Sequence, residues 1–149
     1  MIGSLIKITP TIDTVAYTAN DQVGGIQTIA GVCQGGGSLC LLRQLTIVDR
    51  GKQKAAMTVF FFEELPTVAS VNNGEANVTD AEMAGKAIAV VSIAAVDYRD
   101  LSGNSTATVA PNLAMKPKAS ATLFAVAVTT GTPTYVAATD LVFKYTFEW

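Results

Sequence analysis

The cleanest alternation of apolar and polar positions lies near the end of the chain, at residues 141–147, LVFKYTF. Leu141, Phe143, Tyr145 and Phe147 share one parity, and Val142, Lys144 and Thr146 share the other. A period of two predicts a strand with one face on a core. The run at 122–128, TLFAVAV, and the reversal Thr129-Thr130-Gly131-Thr132-Pro133 come before it, so the two runs predict a hairpin. A second pair of apolar runs, 41–48 and 55–62, flanks the polar turn Asp49-Arg50-Gly51-Lys52. Both parities of these runs hold β-branched or aromatic residues, which predicts strands covered on both faces. Gly51 is expected to supply the positive φ of a tight reversal. The chain is therefore read as organised around a central hairpin over 41–65, with Phe60, Phe61 and Phe62 as its largest apolar contribution.

The remaining elements follow the same pattern. Residues 4–9 alternate weakly and stop at Pro10, which predicts an edge strand or an N-terminal arm over 1–10. Residues 11–18, TIDTVAYT, are rich in strand formers. A turn at 19–22 and Gly24-Gly25 separate them from a strand over 26–32. Residues 34–38, with three consecutive glycines, form a flexible loop. The Asn73-Gly74 pair marks a turn within 67–77. Thr79 then caps a short helix with Asp80 and Glu82 in its first turn, with Asp80 as the alternative cap, and Gly85 stops it within two turns. Residues 87–98 hold enough alanine for a helix, but Val90, Val91, Ile93 and Val96 favour a strand. A loop at 100–105 and short strands at 106–110 and 112–115 complete the count. Eight or nine strands with frequent turns predict one all-β domain over 1–149, a β-sandwich of jelly-roll-like type with one short helix.

Composition adds a partner to this picture. Of 149 residues, 50% are hydrophobic and 15% charged, against a usual charged fraction of about 25%. Small residues dominate the second half, as in proteins packed into assemblies, so a multimeric or surface-attached state is expected. The net charge of −2 offers no basic surface for phosphate, so no nucleic-acid partner is expected. Arg50, Lys52 and Lys54 form the one dense basic cluster and read as a solvated turn; Lys116 and Lys118 bracket Pro117. The longest apolar stretch, 87–96, is far short of the ~20 residues of a membrane span. Residues 1–10 lack the pattern of a secretory signal. A soluble protein made in the cytoplasm, with no membrane partner, is the expectation.

Candidate chemistry is sparse. Histidine is absent, which removes the commonest general base and any Ser-His-Asp or Cys-His arrangement built within the chain. The carboxylate pairs Glu63-Glu64, Asp80/Glu82 and Asp97/Asp100 lack the facing geometry of a glycosidase, and Asp97/Asp100 lacks the oxygen spacing of a calcium loop. Gly24-Gly25 and Gly35-Gly36-Gly37 have neither phosphate-loop spacing nor a following Lys-Ser or Lys-Thr. Cys33 and Cys40 could close a disulfide across the glycine loop. Two buried thiols, or one buried and one exposed, fit a cytosolic product better, and zinc lacks further ligands. Tyr17, Tyr98 and Tyr135 lie near strand ends, where core or rim packing is the expected role. No catalytic, metal or cofactor residue is predicted, and the chain is expected not to be an enzyme.

One group of proteins shares the order of these signals. Residues 17–25, YTANDQVGG, resemble the Y-x-x-x-D-x-(V/I)-G start seen in small virion proteins of tailed bacteriophages. A strand like 42–49 (LRQLTIVD) follows there, then one like 58–62 leading into a loop with Pro66-Thr67. Thr79-Asp80 resembles the acidic entry to a short helix. The close, 123–126, the turn Gly131-Thr132-Pro133-Thr134-Tyr135 and Asp140-Leu141, is similar too. The resemblance implies a head decoration, or cement, protein: a jelly-roll-like module on the capsid exterior, assembled in the host cytoplasm. Its implied partners are the major capsid protein, whose neighbouring subunits it bridges, and itself as a dimer or trimer. The cysteine-glycine segment 33–40 and residues 1–10 depart from the group's pattern. With residues 72–76, the N-terminal arm and the glycine loop are expected to be mobile parts that dock on the shell. A tail, collar or fibre module that recognises host glycans is the alternative.

Overall fold

The computed structural model describes residues 2–69 and 72–149. The strands are β1 (Gly3–Ile8), β2 (Gln27–Ala30), β3 (Cys40–Asp49), β4 (Met57–Phe62), β5 (Ala87–Ile93), β6 (Tyr98–Leu101), β7 (Asn104–Val109), β8 (Leu113–Met115), β9 (Thr122–Thr129) and β10 (Leu141–Glu148). Among the described residues, one helix, α1 (Asp80–Lys86), and a 3-10 turn, Ala95–Asp97, interrupt them. One sheet runs β1-β10-β3-β7-β6, with β8 also paired to β3; the other runs β2-β9-β4-β5. Every pairing is antiparallel. With β6 and β8 set aside, the pairs nest from the ends of the chain inward: β1 with β10, β2 with β9, β3 with β7, β4 with β5. That winding is a jelly roll, as the sequence predicts.

Both expected hairpins are corrected. β3 lies between β10 and β7, whereas β4 lies between β9 and β5 in the opposite sheet. Residues 50–56 therefore cross from one sheet to the other, and residues 130–140 do the same between β9 and β10. Two apolar runs around a polar turn look alike whether they pair with each other or face each other across a core. The deciding hydrogen bonds lie far away in sequence. Gly51 does not take a positive φ; Lys52 and Lys54 do, at 53° and 50°. Gly51 is needed for space instead, since a Cβ there would sit 3.1 Å from Asp140 Oδ2 and 3.3 Å from Tyr135 Cδ1.

Burial on both faces of the central strands is also corrected. Leu42, Leu45, Ile47 and Asp49 of β3 point inward and are buried, while Leu41, Thr46 and Val48 are partly exposed. A register shift opposite Thr146/Phe147 leaves Arg43 and Gln44 both exposed, the signature of a β-bulge. β10 keeps the predicted period of two, with Leu141, Phe143, Tyr145 and Phe147 fully buried. Phe61 meets Tyr145 edge-on at 5.9 Å across the sandwich. The Tyr145 hydroxyl donates to Gln27 Oε1 at 2.7 Å, which satisfies a buried donor.

The other elements are placed as follows. Residues 3–8 form an edge strand on β10 and not a free arm, and Pro10 is buried. Residues 11–18 are a loop and not a strand, held by Tyr17, whose ring is buried against Tyr135. Thr79 caps α1 by accepting from Glu82 N, and Gly85 lies inside the helix. Residues 87–98 divide into β5, the 3-10 turn and the start of β6. Residues 100–105 include the tight β6–β7 connection, with strand pairing down to Leu101↔Asn104. Ser70 and Val71 of the predicted 67–77 turn lie outside the described residues.

Candidate interaction surface

The strand ends gather at two poles. Asp49, Met57, Ile93, Ser105, Thr129 and Leu141 mark one, and Gly3, Cys40, Phe62, Ala87, Thr122 and Glu148 the other.

At the Asp49 pole the sheet-crossing segments are fastened to each other. Asp140 Oδ2 accepts from the amides of Val136 and Ala137 at 3.0 Å, and the Arg50 amide donates to Asp140 O at 2.8 Å. Asp49 Oδ2 accepts from Lys54 N at 2.7 Å. Burial pushes the Asp49 carboxyl above the usual aspartate range, against the pull of the amides of Lys54, Gly51 and Gln53. The Tyr98 hydroxyl donates to Ala55 O at 3.1 Å, and burial raises the Tyr98 and Tyr135 phenols well beyond their ordinary range. Tyr17, Tyr98 and Tyr135 are all core residues.

The charged residues singled out in the sequence pair locally and do not converge. Asp100 holds Lys54 at 2.7 Å and Lys52 at 3.7 Å, and those ammonium groups keep its carboxyl below the usual range. Asp97 Oδ2 accepts from Ala94 N at 2.8 Å. Glu64 pairs with Lys118 at 3.0 Å and Glu82 with Lys86 at 2.8 Å. Among the described residues, no group of three or more His, Cys, Asp or Glu gathers closely enough to hold a metal ion.

The opposite pole carries an apolar depression, whereas the exposed Val15, Val96, Leu101 and Val136 of the Asp49 pole are set singly on its connections. Cys33 and Cys40 are both buried and free. Cys33 Sγ donates to Gly35 O at 2.9 Å and Cys40 Sγ to Met115 O at 3.5 Å. Burial pushes the Cys40 thiol up to about 11, so it stays protonated and unreactive at neutral pH. The glycine loop is packed down: Gly36 lies so close to the Ala119 carbonyl that a Cβ would come within 2.2 Å of its oxygen. Ser38 then leads to Leu39, which is 65% exposed. Leu39, Cys40, Leu41, Ala114, Glu148 and Trp149 line an open depression of about 310 Å³. Ile2, 55% exposed, exchanges backbone hydrogen bonds with Trp149 at 3.2 and 2.9 Å. The Trp149 indole N–H is buried without a hydrogen-bond partner among the described residues.

Of the three segments expected to dock, the start of the N-terminal one, Ile2 and Gly3, and the glycine loop lie at the Trp149 pole, while Ile8 and Pro10 run on toward the Asp49 pole. Residues 72–76 do not lie at the Trp149 pole. Asn72 Oδ1 accepts from the Tyr17 hydroxyl at 2.7 Å and Gly24 N at 2.8 Å, and Asn73 and Gly74 exchange backbone bonds with Gln22. That loop is fastened beside the Asp49 pole. The sequence reading missed Leu39 as a surface residue; its signal was a leucine between a polar glycine loop and the first core residue of β3.

No protein-family model matches the chain, and no curated protein or solved structure matches it either. No helix among the described residues is long and apolar enough to cross a membrane.

Proposed function

We propose that this chain is a capsid decoration protein, which docks on the outside of a phage head and bridges neighbouring major capsid subunits. The observation that carries the reading is the apolar depression at the Trp149 pole, lined by Leu39, Leu41 and Trp149, with the exposed Ile2 paired to the Trp149 backbone. Isolated exposed leucines are ordinary on soluble proteins, but apolar residues rimming one concave patch mark a protein-binding surface. Trp149, partly buried against the core, gives such a partner an aromatic wall to pack on. The rest of the molecule suits a passive role. Glu64, Glu82 and Asp100 are paired with lysines, and the thiols are buried. Many copies on one shell add avidity to a modest single contact.

The test mixes purified protein with undecorated heads and sediments them. Saturable co-pelleting at a fixed ratio to the major capsid protein, with heads gaining resistance to heat, is the expected result. Absence from heads, with the protein adsorbing to host cells instead, would transfer the reading to a tail, collar or fibre module.

A further inference from the structure

We propose that the free edge of β5 pairs with β5 of a second copy of this chain, joining two four-stranded sheets into one of eight. Among the described residues, β5 ends its sheet, paired with β4 alone. An edge strand presents a row of unpaired amides and carbonyls, and proteins blunt such edges with charge, proline, bulges or brevity. The other edges here are blunted. β1 carries Lys7 and runs into Pro10, β6 is four residues long with Arg99 and Asp100, and β2 is four residues long. β5 is AIAVVSI, seven residues without charge or proline; its one bulge, at Ile88 opposite Phe61/Phe62, lies near its start and leaves Ala89–Ile93 regular.

The strand is also suited to pairing with itself. Val90 lies past that bulge, so an antiparallel copy centred there sets Val90 against Val90 and Ala89 against Val91. No like charges meet, and the larger side chains face smaller ones or each other. Val90 is 50% exposed and belongs to a row that crosses the outer face through Phe60 to Val126. Pairing doubles that row across the seam and covers Val90. The contact is isologous and closes on two copies.

This deepens the decoration reading, on which its purpose rests. The two-fold axis stands normal to the joined sheet and reverses the strand direction. The two Trp149 poles therefore point to opposite ends of the pair, one for each of two neighbouring capsid subunits.

Sedimentation velocity of the full chain, without capsids, tests the contact. The wild type is expected to run as a dimer, and Val90→Lys as a monomer with unchanged circular dichroism. Val90→Cys keeps the edge intact as a second variant. Facing residues in an antiparallel pair have Cα atoms about 4.5–5.5 Å apart, within the reach of a disulfide. With oxidised glutathione as electron acceptor, the two introduced thiols lose their protons and close one bond, and the chain is expected to run as a covalent dimer. Val15→Cys, in the loop at the other pole, is expected not to cross-link. A monomeric or trimeric wild type, a dimer that survives Val90→Lys, or Val90→Cys that stays uncross-linked would overturn the proposal. A dimer that ignores capsids would leave it standing and remove the decoration reading alone.

Discussion

At the scale of single residues, two positions act through space and charge and not through conformational freedom. The three consecutive glycines at 35–37 read in the sequence as a flexible loop, yet only Gly36 is pressed against backbone, while Gly35 has open space where a Cβ would go. Gly36→Ala is expected to cost ~1–3 kcal/mol, the usual cost of overpacking. Gly35→Ala should be neutral within ~0.5 kcal/mol. Urea unfolding of the two variants gives the comparison. Asp49 tests the buried cluster. Its folded pKa lies above the ordinary aspartate value of 3.8, so between those two values the folded state binds more protons than the unfolded one. Stability must then fall as pH rises through that window. Asp13, Glu82 and Asp100 are shifted downward, so their contributions are lost at the other extreme, as pH falls below the ordinary range. Asp49→Asn is expected to abolish the loss above 3.8 and leave the acid loss in place, as unfolding midpoints across pH will show.

At the scale of elements, local pattern was legible and partnership was not. The alternation of β10 gave its buried face residue by residue, and Thr79 with its acidic neighbours gave α1. Residues 11–18 failed because β-branched composition alone carries no pairing, and Tyr17 was buried by a loop. The two false hairpins failed because β3 and β4, like β9 and β10, find their hydrogen-bonding partners across most of the chain. The triple Phe run shows what burial decides. Phe61 is fully buried against Tyr145, whereas Phe60, on the opposite parity, is half-buried on the outer face. Phe61→Ala is expected to cost ~3–5 kcal/mol, and Phe60→Ala clearly less; thermal or urea unfolding separates them.

At the scale of the whole molecule, the sandwich class was readable from strand count and turn spacing. The surface that distinguishes its poles was not. Low charge and abundant small residues pointed to buried surface in general, but placing Leu39 beside Ile2 and Trp149 requires the β1–β10–β3 pairing. That placement divides the expected docking segments, leaving Ile2 and Gly3 at one pole with residues 34–38 and fastening residues 72–76 elsewhere. It also supplies a control, because Val136, 85% exposed, lies at the opposite pole. The most direct measurement titrates undecorated heads with wild type, Leu39→Asp and Val136→Asp and quantifies bound protein. Saturation of the wild type, a loss of at least about tenfold in affinity (about 1.4 kcal/mol) for Leu39→Asp, and no change for Val136→Asp are predicted. Failure of the wild type to bind, or Leu39→Asp binding as tightly as the wild type, would contradict the account.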